Sequence, residues 1–249
     1  MENPLRLVHG RADADTPKST ETPSLTDALP PMRTFGRVKG RPLRAGRASL
    51  LDADLPRLAL DLSGPVEPQA IRPGATQLWV ELGFGGGEHL AAQAAAHPEA
   101  LLLGAEPFVN GVASALRHLL DHGVDNVRLH PGDGRELLAA LPDASVGRVY
   151  ILFPDPWPKQ RHHKRRLINP ETLAELARVM RPGAVLRFAS DVNDYVDWTL
   201  ARVLASPDFA WTAERADDWR RPPGDHVTTR YEQKRLGDCA PVFLEFRRL

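Results

Sequence analysis

Residues 152–166 read LFPDPWPKQRHHKRR and place a carboxylate, an indole and a cationic run in one short stretch. Asp155 and Trp157 alternate with Pro154, Pro156 and Pro158. Proline rings fix φ at about −65° and carry no N–H, so neither a strand nor a helix continues through them. The acid and the ring are therefore held in a stiff turn. Lys159, Arg161, Lys164, Arg165 and Arg166 follow at once. A fixed acid, a flat aromatic surface and a cationic platform suit a nucleic-acid base on its phosphate backbone. Each feature alone has a plainer meaning: a loop, a packed indole, a solvated charge run. Their position counts for more, because the apolar run VYILF at 149–153 leads straight into them. The C-terminal ends of strands are where α/β sheets build sites.

The chain around this stretch alternates between strand and helix patterns. Strands are expected at 77–82 (QLWVEL), 101–105, 126–130, 146–153, 184–190, 209–213 and 241–247. Between them fall helices from Glu88 to about Ala96, from Pro107 to a stop at Gly123, and from Gly134 through Leu141. A further helix has Asn169 as its cap, Pro170 at its first position and a close at Gly183, and another runs from Tyr195 to Ala205. Such alternation implies an α/β fold with a doubly wound, mostly parallel sheet and right-handed crossovers.

Composition narrows the class. Of 249 residues, 42% are hydrophobic, enough for a full core, and no apolar run approaches the ~18 residues of a membrane helix. No signal-peptide pattern opens the chain, and Cys239 is its single cysteine, which excludes an internal disulfide and a cysteine-rich metal site. A soluble, cytoplasmic protein with no membrane partner is expected. The 32 basic and 32 acidic residues balance, but unevenly along the chain. Arg33, Arg37, Lys39, Arg41, Arg44 and Arg47 share a stretch without one acid, and local fields of this kind steer ligands. Residues 1–32 read as a disordered tail. Residues 33–60 read as a basic arm, either a linker or an RNA contact, followed by a short helix from Ser49 interrupted at Pro56. Residues 61–249 form the main domain.

Gly83, Gly85, Gly86 and Gly87 between a strand and a helix mean that backbone approaches a ligand closely. A dinucleotide fingerprint would need Gly or Ala where Glu88 stands, and a carboxylate at a helix N-terminus repels a pyrophosphate. The P-loop pattern is also missing. Glu81, Glu106 and Asp133 stand at the ends of three successive strands. Acids suit a ligand with ribose hydroxyls, an adenine and a positive charge but no phosphate: S-adenosylmethionine. Glu106 would hold the ribose and Asp133 the adenine amino group.

FPDPWPKQRHHKRR, with ELGFGGG upstream and TRYEQK at 229–234 downstream, resembles the bacterial-type tRNA (guanine-N7)-methyltransferases over residues 34–249. The resemblance implies a class I, Rossmann-like methyltransferase fold and methyl transfer to N7 of a guanine in the tRNA variable loop. It implies cofactor contacts at Glu81, Gly83, Gly85, Glu106, Asp133 and Asp155, with Asp155 also at the active centre. Substrate contacts would be Lys159, Asp191, Thr229, Arg230, Tyr231 and Glu232, and the RNA-contacting run would include Arg161, Lys164, Arg165 and Arg166. Gly134 stands where the family commonly has Ala, and residues 1–32 have no counterpart.

Guanine N7 carries a free lone pair, so no general base is required. Asp155 could accept hydrogen bonds from the N1–H and N2–H₂ edge; Asp191 is a second candidate, its plainer role being a helix cap. Tyr231 reads equally as a lid, a core residue or a base contact. His162 and His163 would reach phosphate or solvent. His118 and His122 share a helix face, but without a third ligand nearby no metal is expected. Methylation of an exocyclic amine and an inert RNA-binding protein of the same fold remain the alternatives.

Overall fold

The computed structural model describes residues 35, 36 and 38–249. The tail expected at 1–32, with Arg33 and Arg37 of the arm, lies outside them. Strands run over Gln77–Leu82 (β1), Ala100–Ala105 (β2), Val127–His130 (β3), Val146–Leu152 (β4), Met180–Ser190 (β5), Phe209–Trp211 (β6) and Val242–Arg248 (β7). Helices run over Ala45–Ala53 (α1), Leu55–Leu58 (α2), Pro68–Ile71 (α3), Glu88–Ala96 (α4), Val109–His122 (α5), Gly134–Ala140 (α6), Pro170–Val179 (α7), Asn193–Ala205 (α8), Asp217–Arg220 (α9) and Arg230–Lys234 (α10). The strand order is β3-β2-β1-β4-β5-β7-β6, and β7 alone runs against its neighbours. The doubly wound, mostly parallel α/β sheet is thus present. Strand order reverses between β1 and β4, and at such a switch point the loops leave a crevice.

Side-chain alternation sorts β1 between the two faces. Leu78, Val80 and Leu82 join the core shared with Leu137, Leu176 and Phe188. Trp79 joins Leu90, Leu116 and Tyr150 on the other face. Glu81 shares the Trp79 face, and so points toward α4 rather than into the larger core. Each fully buried Leu or Ile contributes about 1.5–3 kcal/mol, so the strands are held independently of any ligand. Leu50, Leu51 and Leu55 of the short helices pack against the Trp79 face. Among the described residues no helix is long and apolar enough to cross a membrane.

Element boundaries differ from expectation where side chains intervene. The helix expected from Pro107 begins at Val109, because Glu106 Oε1 accepts the Phe108 N–H at 2.9 Å and keeps Phe108 extended. Asn126 is not part of β3: its side-chain amide donates to the carbonyls of Ala94, His97 and Ala100, each at 3.0 Å. Asn169 caps α7 as expected, accepting the Thr172 N–H at 2.9 Å. That helix closes at Val179, not Gly183, since the carbonyls of Arg178 and Val179 accept the N–H groups of Ala144 and Ser145. Gly183, with φ +82°, instead bends the chain within β5.

Candidate active site

Three of the four acids expected in the cofactor site, Glu81, Glu106 and Asp133, are held by protein partners. Glu106 is buried at the end of β2 and accepts N–H groups from Gly85 at 2.8 Å and Phe108 at 2.9 Å, tying the glycine loop to the start of α5. Burial pushes its carboxyl above the ordinary range; the two backbone hydrogen bonds oppose that, and the charges of Asp155 and Glu81 add to it. Glu81 Oε2 lies 2.8 Å from His89 Nδ1, both side chains being buried, and the His89 ring meets Tyr150 edge-on at 4.5 Å. Asp133 caps α6 through the Arg135 N–H at 2.9 Å and pairs with the Arg135 guanidinium at 2.7 Å.

The loop needs glycine where φ is positive, at Gly83, Gly85 and Gly87, and it needs one more on the helix beneath it. Gly85 has φ +55°, a region costly for other residues, and a Cβ there would stand 3.0 Å from Tyr231. Gly111, on α5, was not singled out from sequence, yet a Cβ on it would meet the Gly85 carbonyl oxygen at 2.3 Å. The first turn of α5 must be bare for the loop to lie on it.

Asp155 leaves the end of β4 in the proline turn, and desolvation by its surroundings raises its pKa. The arm reaches it: a Cβ on Gly36 would be 3.5 Å from Asp155 Oδ2. Backbone holds the arm there, since Val38 accepts the Val109 N–H at 3.0 Å and Gly40 donates to Asn110 Oδ1 at 3.0 Å. Trp157 adopts φ +45°, and the Arg165 guanidinium lies 4.9 Å from its ring and 5.2 Å from that of Phe35. One face of the indole is therefore covered by an arginine.

The basic run divides in two. Lys159, Arg161 and Lys164 are exposed on and before the 3₁₀ turn at Gln160–Arg165. Arg166, expected on RNA, is buried: its Nε donates to the Pro156 carbonyl at 2.8 Å, its Nη2 pairs with Asp194, and its guanidinium lies over Tyr195 and Trp198 at 4.9 and 4.8 Å. That side chain has no face left for phosphate. His163 likewise turns inward, with its ring 5.2 Å from Trp198. Burial and the surrounding Arg165, Arg161, Lys159 and Lys164 charges lower the His162 pKa.

Thr229 caps α10 through the Glu232 N–H at 3.2 Å, while Glu232 Oε2 pairs with His226 Nε2 at 2.8 Å. Arg230 is exposed. Tyr231 rests on Gly85, and its pKa is raised by burial and by the charges of Glu106 and Asp155. Glu106 thus feels the charges of Glu81 and Asp155, and Tyr231 those of Glu106 and Asp155. Asp191 is turned elsewhere: Oδ2 accepts the Gly237 N–H at 2.9 Å, and its carbonyl accepts those of Asp238 and Cys239. Nor does it cap α8, whose N-cap is Val192. His118 Nε2 lies 3.8 Å from Glu88.

A family model described as "Putative methyltransferase" matches residues 75–243. The tRNA (guanine-N(7)-)-methyltransferase of Caulobacter vibrioides (strain NA1000 / CB15N) is 57% identical over 218 residues, covering 88% of this chain and 96% of its own. The chain belongs to the tRNA (guanine-N(7)-)-methyltransferase family. Its Rhodospirillum rubrum relative of the same name is 52% identical over 87% of this chain and 88% of its own. A third, from Rhodopseudomonas palustris (strain BisA53), is 45% identical over 94% of this chain and 98% of its own. Among solved structures, an rRNA methylase from Streptococcus thermophilus overlays with a TM-score of 0.49 at 12% identity, covering 70% of this chain and 88% of that one. The matched region, residues 75–243, contains the glycine loop, the proline turn and the TRYE segment at 229–232.

Proposed function

We propose that this protein transfers a methyl group from S-adenosylmethionine to N7 of a guanine in the variable loop of tRNA, in the cytoplasm. The observation that carries it is the crowding of Glu81, Glu106 and Asp155 around a bare glycine loop, in a chain whose relatives bear the guanine-N7 name. Burial and the charges of Asp155 and Glu81 raise the Glu106 pKa, and acids gathered in this way favour a cationic ligand. S-adenosylmethionine, when bound, supplies a methyl group on a cationic sulfur. Glu81, Glu106 and the Gly83–Gly85 backbone would hold it; Asp133, already paired with Arg135, would offer what acceptor capacity remains.

N7 needs no proton removed, so the residues act by placement and charge. Asp155 accepts from the guanine N1–H and N2–H₂ groups, which selects guanine over adenine and offsets positive charge gathering on the base. Tyr231 lies against Gly85 and Gly36 of the arm lies against Asp155, so both flank the reacting centre. Placement of this kind is worth about 7–11 kcal/mol in well-oriented systems. Incubation with labelled cofactor and unmodified tRNA should give 7-methylguanosine as the sole labelled nucleoside; any other labelled nucleoside overturns the assignment.

The exposed cations carry the RNA. Replacing Arg161 and Lys164 by Ala should reduce the slope of log affinity against log salt by about 0.7–0.9 per lost phosphate contact. An unchanged slope would remove both from the interface. Gly111→Ala should weaken S-adenosylhomocysteine binding by roughly tenfold or more, since about 1.4 kcal/mol of loop displacement suffices; unaltered affinity by calorimetry would show that the loop yields freely.

A further inference from the structure

From the cofactor acid Glu81 a polar row runs across the sheet to residues that neither the cofactor site nor the basic run explains. Glu81 on β1, Tyr150 on β4, Arg187 on β5 and Glu245 on β7 are register partners across four strands. Arg187 is buried, and a guanidinium in that position is costly unless its donors are met. Its Nε and Nη2 reach Glu245 Oε1 at 2.8 and 2.7 Å, and its Nη1 pairs with Asp225 Oδ1 at 2.8 Å. The other Asp225 oxygen pairs with Arg148 Nη1 at 2.9 Å. Gln93 of α4 donates to the Asp225 carbonyl at 2.7 Å and accepts from the Tyr150 hydroxyl at 3.3 Å. Asp225 is gripped from β4, β5 and α4 at once.

The grip leads to the active site. Next in the chain, His226 bonds to Glu232 of α10 and packs its ring 4.8 Å from Phe243. Thr229 caps α10, and two residues later Tyr231 rests on Gly85. Nothing in the regular ladder of the sheet fixes residues 221–229, so their course depends on these side-chain bonds.

We propose that Arg187 and Arg148 are positioning residues: by holding Asp225 they set where α10 presents Tyr231 to the guanine-bearing RNA. This rests on residues 229–232 being substrate contacts, as proposed above. Arginine suits the task because its planar fork meets Glu245 and Asp225 together, which a lysine ammonium on one point cannot do.

The full-length protein and tRNA transcripts test it. Asp225→Asn keeps the side chain's size but removes its charge. It should raise KM for tRNA by roughly tenfold and leave the S-adenosylhomocysteine dissociation constant within about twofold. Amide hydrogen exchange should quicken over 226–234 and stay unchanged in β1 and β4, and Asp225→Glu should recover part of the KM. Arg148→Lys, on a half-buried side chain, provides a second variant with the same expected pattern. Tyr231→Ala should itself raise KM for tRNA, and adding Asp225→Asn to it should have little further effect. If Tyr231→Ala raises KM while Asp225→Asn and Arg148→Lys change neither KM nor exchange, the positioning role is overturned and the substrate assignment stands. If Tyr231→Ala leaves KM unchanged, the substrate assignment falls and the positioning role with it. Cofactor affinity that falls in step with KM would also overturn the proposal, because the clamp would then serve the whole site.

Discussion

Asp155→Ala is expected to lower kcat on tRNA by about 10²–10³-fold, the usual loss on removing one preorganised charge-stabilising group. Cofactor-analogue binding should remain measurable, because Glu81 and Glu106 stay in place with their own donors. The pH dependence follows from the direction of the Asp155 shift. Desolvation raises its pKa from an ordinary 3.8, so the ionised form is lost as pH falls through a value above that of a free aspartate. The acid limb of log kcat/KM should therefore lie at higher pH than a free aspartate would place it. Asp155→Asn keeps one acceptor oxygen, so it should retain more activity than Ala and lose the part of the limb that Asp155 supplies. Wild-type rates for either variant would exclude Asp155 from the reacting centre.

Arg166→Ala is expected to cost about 3–5 kcal/mol of stability, the largest effect outside the site. A hydrogen bond from a charged donor is worth about 1.5–3 kcal/mol, and a desolvated guanidinium over an aromatic face about 2. Its loss would free the Pro156 carbonyl and leave Tyr195 and Trp198 facing a void. Arg166→Lys should not restore the loss, since an ammonium cannot stack on two rings and bond along its plane. Arg161→Ala, on an exposed side chain, should change stability by less than about 0.5 kcal/mol while weakening tRNA binding. Urea midpoints separate the two arginines; equal midpoints would contradict the division of the basic run.

That division marks the limit of what a sequence discloses. The proline turn, the glycine loop and the strand-end acids were legible because each combines residue types with few other uses. Arg165 and Arg166 look alike in KRR, and only the packing of the 3₁₀ turn on α8 separates a stacked residue from a buried one. Asp191 has the right place at a strand end, but Gly237, forty-six residues on, takes its carboxylate. His89, Gly111, Arg148 and Asp225 acquire meaning only through neighbours distant in sequence. Arg187, within the apolar strand VLRFAS, was not singled out either, and its partners Asp225 and Glu245 lie far along the chain. The boundaries at Pro107 and Gly183 were misplaced because side-chain acceptors and a backbone turn, not local propensity, set the helix ends.

One measurement bears most directly on the central claim: transfer of labelled methyl from S-adenosylmethionine to two tRNA transcripts differing only at the variable-loop guanine. Label should enter the guanine transcript alone, and mild scission at 7-methylguanine should cut the strand at that nucleotide. Equal label on the adenine transcript, or none on either with the cofactor bound, would contradict it. The first of those would point to another base or an exocyclic amine, the second to an inert RNA-binding protein.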